Sequence, residues 1–239
     1  MDCGITKKKS YLEQKIAIPK YTLGEELISS ISHGVGAGLG IVALCLCVLL
    51  AYRHQNMWGV VSSWVFGLSL IILYSMSCIY HALKPNNAKR VMRIFDHCTI
   101  FLLIAGTYTP FTLVSLRDSV GWILFGVIWA AAVIGIILNA IDMEKFKVIS
   151  MICYLAMGWA IIFAFKPLMR AVPGKGIELL VAGGISYTIG AVIYGIGSKV
   201  KYMHSIWHFF VLGGSILHFL CIYMLSLIHI SEPTRHAQI

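Results

Sequence analysis

Residues 121–140 read GWILFGVIWAAAVIGIILNA and contain no charged side chain. A helix needs about 20 mostly apolar residues to cross a bilayer, and this stretch has that length. Similar stretches recur along the chain, and we predict seven spans at about 27–52, 57–81, 95–115, 119–140, 147–165, 177–197 and 203–224. The sequence therefore predicts an all-α membrane protein, a bundle of seven transmembrane helices joined by short connections.

The composition excludes a water-soluble fold of this size. Of the 239 residues, 59% are hydrophobic and 12% are charged. A typical soluble domain is about 45–50% apolar and about 25% charged. So few charges could not cover the surface of a soluble protein, but they suit a surface that faces lipid.

Hydropathy and charge divide the chain into three parts. Residues 1–24 form a polar, lysine-bearing arm, and residues 25–224 form the membrane domain, with no soluble domain inserted between the spans. Residues 225–239 begin with the string LSLIHISEPTR, which resembles a translated sequencing-library adapter. We therefore interpret 225–239 as a non-native tail and assign no function to its residues.

The distribution of basic residues predicts how the chain is oriented in the membrane. The formal charge is +9, and the Lys and Arg residues lie in short loops without interleaved aromatic residues, which argues against nucleic-acid binding. With the N-terminus inside the cell, thirteen of them face the cytoplasm, five face outside and one lies in the tail. The positive-inside rule therefore predicts a cytoplasmic N-terminus and a C-terminus outside.

Polar side chains that are costly in a membrane gather at one depth, near the predicted cytoplasmic side. His81 closes the second span, Asp96 opens the third and His204 opens the seventh, each three positions from a basic loop residue. His204 and His208 are four residues apart, so they project from one helix face and can share one metal ion. Ser77 and His81 have the same spacing.

Three imidazoles with an open fourth position are typical of a catalytic zinc site. Asp96 would then hold or deprotonate the water at that position, and Ser77 would hydrogen-bond the water or a polarised carbonyl. Spacing leaves a second interpretation open, in which the histidines are hydrogen-bonded interfacial residues and Asp96 is a helix cap. His33, His54 and His218 are interpreted as structural.

Four stretches resemble the hemolysin III family, the bacterial branch of the progestin and adiponectin receptor superfamily. They are EELISSISHGVGAGLG (25–40), YSMSCIYHAL (74–83), RIFDHCTIFLLIAGTYTPF (93–111) and HSIWHFFVLGGSILHF (204–219). The resemblance implies a seven-helix fold in the plasma membrane, which is the inner membrane of a bacterium. It also implies a zinc ion (Zn²⁺) with ligands His81, His204 and His208, a functional aspartate at Asp96 and a functional serine at Ser77.

The resemblance leaves three functions open. The wider superfamily looks like a set of membrane hydrolases that includes alkaline ceramidases, which implies zinc-dependent hydrolysis of a membrane-lipid amide or ester. The family name implies a pore-forming, cytolytic protein instead, although the fourth and fifth spans are almost wholly apolar. The third is a zinc-stabilised regulator of membrane-lipid homeostasis. We expect a lipid partner, and no protein hormone, because the sequence has no extracellular domain to bind one.

Overall fold

The computed structural model describes residues 11–197 and 200–228, and all the regular structure in these ranges is helical. The helices are α1 (Tyr11–Lys15), α2 (Leu23–Arg53), α3 (Met57–Ala82), α4 (Asn87–Pro110), α5 (Gly121–Trp159), α6 (Phe165–Ala171), α7 (Gly174–Gly197) and α8 (Met203–Ile228). A π-helical turn (Phe111–Ser115) follows α4, and a 3₁₀ turn (Ala160–Ala164) joins α5 to α6. The predicted tail falls mostly on 229–239, outside the described residues, as does the start of the arm at 1–10.

Six helical segments in the described ranges are long and apolar enough to cross a membrane. They are Leu23–Arg53, Met57–Ala82, Asn87–Ser115, Gly121–Ala171, Gly174–Gly195 and Met203–Leu225. Five of them each correspond to one predicted span. The predicted fourth and fifth spans, 119–140 and 147–165, both fall on the 51-residue segment Gly121–Ala171.

This long segment is broken at Asp142, whose backbone is non-helical (φ −159°, ψ 88°) and whose Oδ1 accepts from the Lys145 amide at 3.1 Å. Ser150 Oγ donates to Asn139 Oδ1 at 2.6 Å, and Asn139 Nδ2 donates to the Tyr154 hydroxyl at 3.2 Å. In a straight helix, Asn139 would lie about 16 Å from Ser150 and about 22 Å from Tyr154 along the axis. The chain therefore folds back at Asp142 into two halves, α5a (121–141) and α5b (143–159).

Side-chain caps fix where three of the long helices begin. Thr22 and Glu25 form a reciprocal capping box at the start of α2, with the Thr22 amide donating to Glu25 Oε2 at 2.8 Å. Asn56 accepts from the Gly59 amide at the start of α3, and Asn86 accepts from the Lys89 amide at the start of α4. These caps set the height of the polar side chains in the turns that follow.

The helices pack in the order α7, α8, α2, α3, α4, α5, while α5 and α7 touch at few points. Glycine allows the closest approaches: a Cβ added to Gly36 of α2 would lie 2.8 Å from the Tyr74 ring of α3, and one on Gly135 would lie 2.2 Å from Phe101. Where α5 and α7 meet, Trp159 Nε1 donates to Thr188 Oγ1 at 3.0 Å.

The outer surface of the bundle is apolar along its length. Ile31, Ile123 and Phe163 are 63%, 72% and 92% exposed, respectively. An apolar surface this large is stable only against lipid. The chain is therefore a multi-pass membrane protein, as its sequence predicts.

One end of the bundle holds α1, the starts of α2, α4 and α8, the end of α3 and the break at Asp142; we call it the arm end. Lys15 and Asp142 approach to 3.9 Å there, and Arg93 pairs with Glu144. The predicted site residues lie close together because each lies within a few turns of this end.

Candidate metal centre

Three histidines from two helices meet at the arm end. His81 lies in the last turn of α3, and His204 and His208 lie in the first two turns of α8. They are 2%, 5% and 0% exposed. One ring nitrogen of each lies within 4.8 Å of the others, so the group could hold a metal ion.

The spacing of these nitrogens matches one ligand shell. His204 Nε2 lies 3.3 Å from His81 Nε2 and 3.2 Å from His208 Nε2. Nitrogens bound tetrahedrally at 2.0–2.1 Å from one ion are separated by about 3.3–3.4 Å. Both separations are close to the distance between neighbouring ligands of one tetrahedral metal ion.

The position of the two α8 histidines is set by α2. The Tyr202 amide, just before α8, donates to Glu25 Oε1 at 2.7 Å. One turn further, Ser205 Oγ donates to the Glu25 carbonyl at 3.2 Å and lies 3.2 Å from Ser29 Oγ. These contacts fix the start of α8 against the start of α2, and hence the height of His204.

An ion pair between the buried Lys89 and the half-buried Glu26 lies behind His81. His81 Nδ1 lies 2.7 Å from Glu26 Oε2, and Lys89 Nζ donates to Glu26 Oε1 at 2.6 Å. The sequence interpretation missed both partners: it placed Glu26 before the first span and counted Lys89 only as a topology charge. One signal was available, because Glu26, Ser29 and His33 are spaced by three and four residues on one face of α2.

Asp96 and Ser77 are both buried near the histidines, at 3% and 1% exposure. Asp96 Oδ2 lies 3.6 Å from His97 Nδ1, and Ser77 lies one turn before His81 on α3. Within the described part of the chain, Ser77 Oγ has no hydrogen-bond partner. The site roles of Asp96 and Ser77 therefore remain predictions; the three histidines form the group that the structure brings together.

His33 also belongs to this region, although the sequence interpretation treats it as structural. Its ring centroid lies 3.8 Å from that of His208 and 4.9 Å from that of Tyr74. It is 1% exposed, and neither ring nitrogen has a hydrogen-bond partner among the described residues. In contrast, His218 lies deeper on α8, where its Nε2 bonds the Leu180 carbonyl at 3.0 Å.

The described part of the arm covers the centre. Tyr21 stacks on His204, with ring centroids 4.7 Å apart and planes 17° from parallel. The chain before it is held by Arg90, which donates to the Ile16 carbonyl, and by Arg93, which donates to the Ala17 carbonyl. Burial raises the pKa of Tyr21, so its phenol is neutral at physiological pH.

A cavity of about 150 Å³ lies inside the bundle between α4, α5, α7 and α8. Asp96 and His33 line it near the three histidines, and Tyr108 and Trp159 line it at the other end. From Asp96 to Tyr108 the wall runs about 18 Å along α4. Most of the lining side chains are apolar.

The fold and the site define a multi-pass helical membrane protein with a buried three-histidine centre. Residues 21–219 match the family model described as Haemolysin-III related, so the chain belongs to this family, as its sequence motifs predict. In a bacterium, a helical protein of this family lies in the inner membrane.

Three relatives illustrate the range of similarity. The chain is 43% identical to Hemolysin-3 of Bacillus cereus over 198 residues, which are 83% of this chain and 90% of that protein. It is 40% identical to the Hemolysin-3 homolog of Bacillus subtilis (strain 168) over 202 residues, which are 84% of this chain and 94% of that protein. It is 26% identical to monocyte to macrophage differentiation factor of Homo sapiens over 196 residues, which are 78% of this chain and 79% of that protein. No solved structure gives a significant match.

Proposed function

We propose that this protein is a zinc-dependent hydrolase that cleaves an amide or ester bond of a membrane lipid. The observation that carries the proposal is the group of three buried histidine nitrogens within 4.8 Å of one another, beside a largely apolar cavity. Nitrogen ligands suit zinc, and three of them leave a fourth position open for a reactant. His81, His204 and His208 would hold the ion.

We also propose that the chain crosses the membrane seven times, with the arm end in the cytoplasmic leaflet. The reversal at Asp142 supports seven crossings, because it divides Gly121–Ala171 into two stretches that are each long enough to span. Among the described residues, nine Lys and Arg lie at the arm end and five at the opposite end. This imbalance favours a cytoplasmic arm end.

When bound, zinc supplies Lewis acidity that polarises a carbonyl and activates water at neutral pH. Asp96 is a buried carboxylate in the cavity wall, so it accepts a proton from the attacking water and passes it to the leaving group. Ser77 Oγ, which lacks a partner among the described side chains, donates a hydrogen bond to the carbonyl oxygen of the scissile bond.

The cavity binds the hydrocarbon chain of the substrate. Its apolar wall suits a lipid tail, and its end at Asp96 and His33 places the first polar group of that lipid beside the metal centre. A lipid enters from the bilayer between α5 and α7, where the helices touch at few points. Water-soluble esters therefore lack the binding energy that the tail supplies.

Filling the cavity should shorten the lipids that the enzyme accepts. Leu155 of α5b lines the cavity, so Leu155→Trp places a larger side chain where the lipid tail lies. We expect turnover of long-chain lipids to fall about tenfold relative to short-chain analogues. Product release from a chain-length series, measured by mass spectrometry in detergent micelles, tests this.

The matched control is Ile152→Trp, one turn earlier on the same helix at a 61% exposed position. This variant should keep the wild-type preference for chain length, and an equal loss in both variants would contradict the assignment of the cavity. Leakage of a trapped dye from liposomes, measured on the same preparations, reports separately on the lytic activity named in the bacterial relatives.

A further inference from the structure

The side chain of Lys89 is a buried charge that depends on one carboxylate. Lys89 is 0% exposed, and its ammonium donates to Glu26 Oε1 at 2.6 Å and to the Leu83 carbonyl at 2.9 Å. It also lies 5.0 Å from the centroid of the Tyr80 ring. A buried ammonium is very costly without an anion beside it, so Lys89 holds Glu26 in place as a carboxylate.

The second oxygen of Glu26 determines which nitrogen of His81 carries the proton. It lies 2.7 Å from His81 Nδ1, and a carboxylate can only accept. His81 Nδ1 therefore carries the hydrogen, and the lone pair of Nε2 faces His204 Nε2 at 3.3 Å. This is the tautomer that binds a metal through Nε2.

We propose that Glu26 is a positioning residue for the metal ligand His81 and that Lys89 is its anchor. Lys89 and Asp96 are seven residues apart on one face of α4, so the anchor also fixes the height of Asp96 relative to the ligands. The inference rests on the proposed metal centre and deepens it. The contacts of Glu26 with Lys89 and with His81 therefore join α2 to α4 and α2 to α3.

The test is the affinity of the detergent-purified full chain for zinc, measured by competition with a chromogenic chelator. Glu26→Gln keeps the shape of the side chain but removes the charge, and its amide can donate to Nδ1 and favour the wrong tautomer. We expect zinc binding to weaken about 10–100-fold. Lys89→Met is the second variant, and it should weaken zinc binding in the same direction.

The matched control is Ser30→Ala, one turn after Glu26 on α2. Ser30 Oγ donates to the Cys78 carbonyl of α3 at 3.1 Å, so the variant loosens the packing of α2 on α3 without changing the carboxylate beside His81. Ser30→Ala should lower the melting temperature of the metal-free protein and leave zinc affinity unchanged. Because Glu26 and Lys89 act through the same histidine, the double variant Glu26→Gln/Lys89→Met should bind zinc no more weakly than Glu26→Gln.

Two results would overturn the positioning role. Zinc affinity equal to wild type in Glu26→Gln would reduce the ion pair to a structural link between α2 and α4, while the metal centre would stand. Equal weakening by Ser30→Ala would assign the effect to general loosening of α2. Absence of zinc binding by the wild type is a separate outcome, and it overturns the metal centre together with this inference.

Discussion

Asp96→Asn should lower the turnover of a lipid substrate by about 10²–10⁴-fold while the chain keeps its zinc. Asparagine has nearly the same shape as aspartate but cannot accept a proton from water, so the chemical step loses its base. The three histidines that would hold the ion are unchanged. Release of fatty acid from a panel of lipid amides and esters, with metal content measured on the same preparation, gives both quantities.

The control is Asp118→Asn at an exposed position on the opposite end of the bundle, which should retain wild-type turnover. Full turnover by Asp96→Asn would contradict the catalytic role. Loss of zinc together with turnover would move Asp96 into the ligand set. A zinc-loaded wild type that releases no product from any lipid favours the regulatory function.

His208→Ala should make the melting temperature insensitive to chelators. Zinc held at 100–1,000 times its dissociation constant stabilises a protein by about 2.7–4.1 kcal/mol. For a chain of this size that corresponds to a shift of roughly 5–15 °C. We expect a chelator to lower the wild-type melting temperature by this amount and to leave His208→Ala unaffected, as measured by differential scanning fluorimetry in detergent.

His218→Ala supplies the control, because it removes another buried histidine from α8 that bonds the Leu180 carbonyl. This variant should melt at a lower temperature, since a buried hydrogen bond is lost, yet it should respond to the chelator as the wild type does. A full chelator response in His208→Ala would show that the stabilising metal binds elsewhere.

Most of the fold follows from the spacing of apolar stretches. Membrane-spanning helices are long and bounded by charged loops, so hydropathy locates them with little tertiary information. The fourth and fifth predicted spans illustrate the limit of this method. The structure joins them in one helical segment that reverses at Asp142. Asn139 stabilises that reversal by accepting a hydrogen bond from Ser150 and donating one to Tyr154.

The cluster of three histidines was predictable for two reasons. His204 and His208 share a face by helix geometry, and His81 shares the depth of His204 because both lie a similar distance from a basic loop residue. The contact of Glu26 with His81 and the burial of Lys89 were not predictable from the depth of these residues in the membrane. A carboxylate or lysine near a helix end looks the same in sequence whether it is solvated or buried, and the rotation of α2 about its axis decides which.

The position of the His33 ring beside that of His208 was not predictable for the same reason. A single histidine on an apolar helix is usually structural, and only the packing of α2 against α8 places its ring 3.8 Å from that of His208. Ser77 is the opposite case. Its spacing from His81 predicts a functional role, but its Oγ has no hydrogen-bond partner among the described residues.

The metal content of the detergent-purified protein tests the central claim most directly. Mass spectrometry on the wild type and on His204→Ala/His208→Ala, both expressed with added zinc, gives the number of ions per chain. We expect about one zinc ion per chain in the wild type and almost none in the variant. Absence of metal from both proteins, or equal zinc in both, would contradict a metal centre built from these histidines.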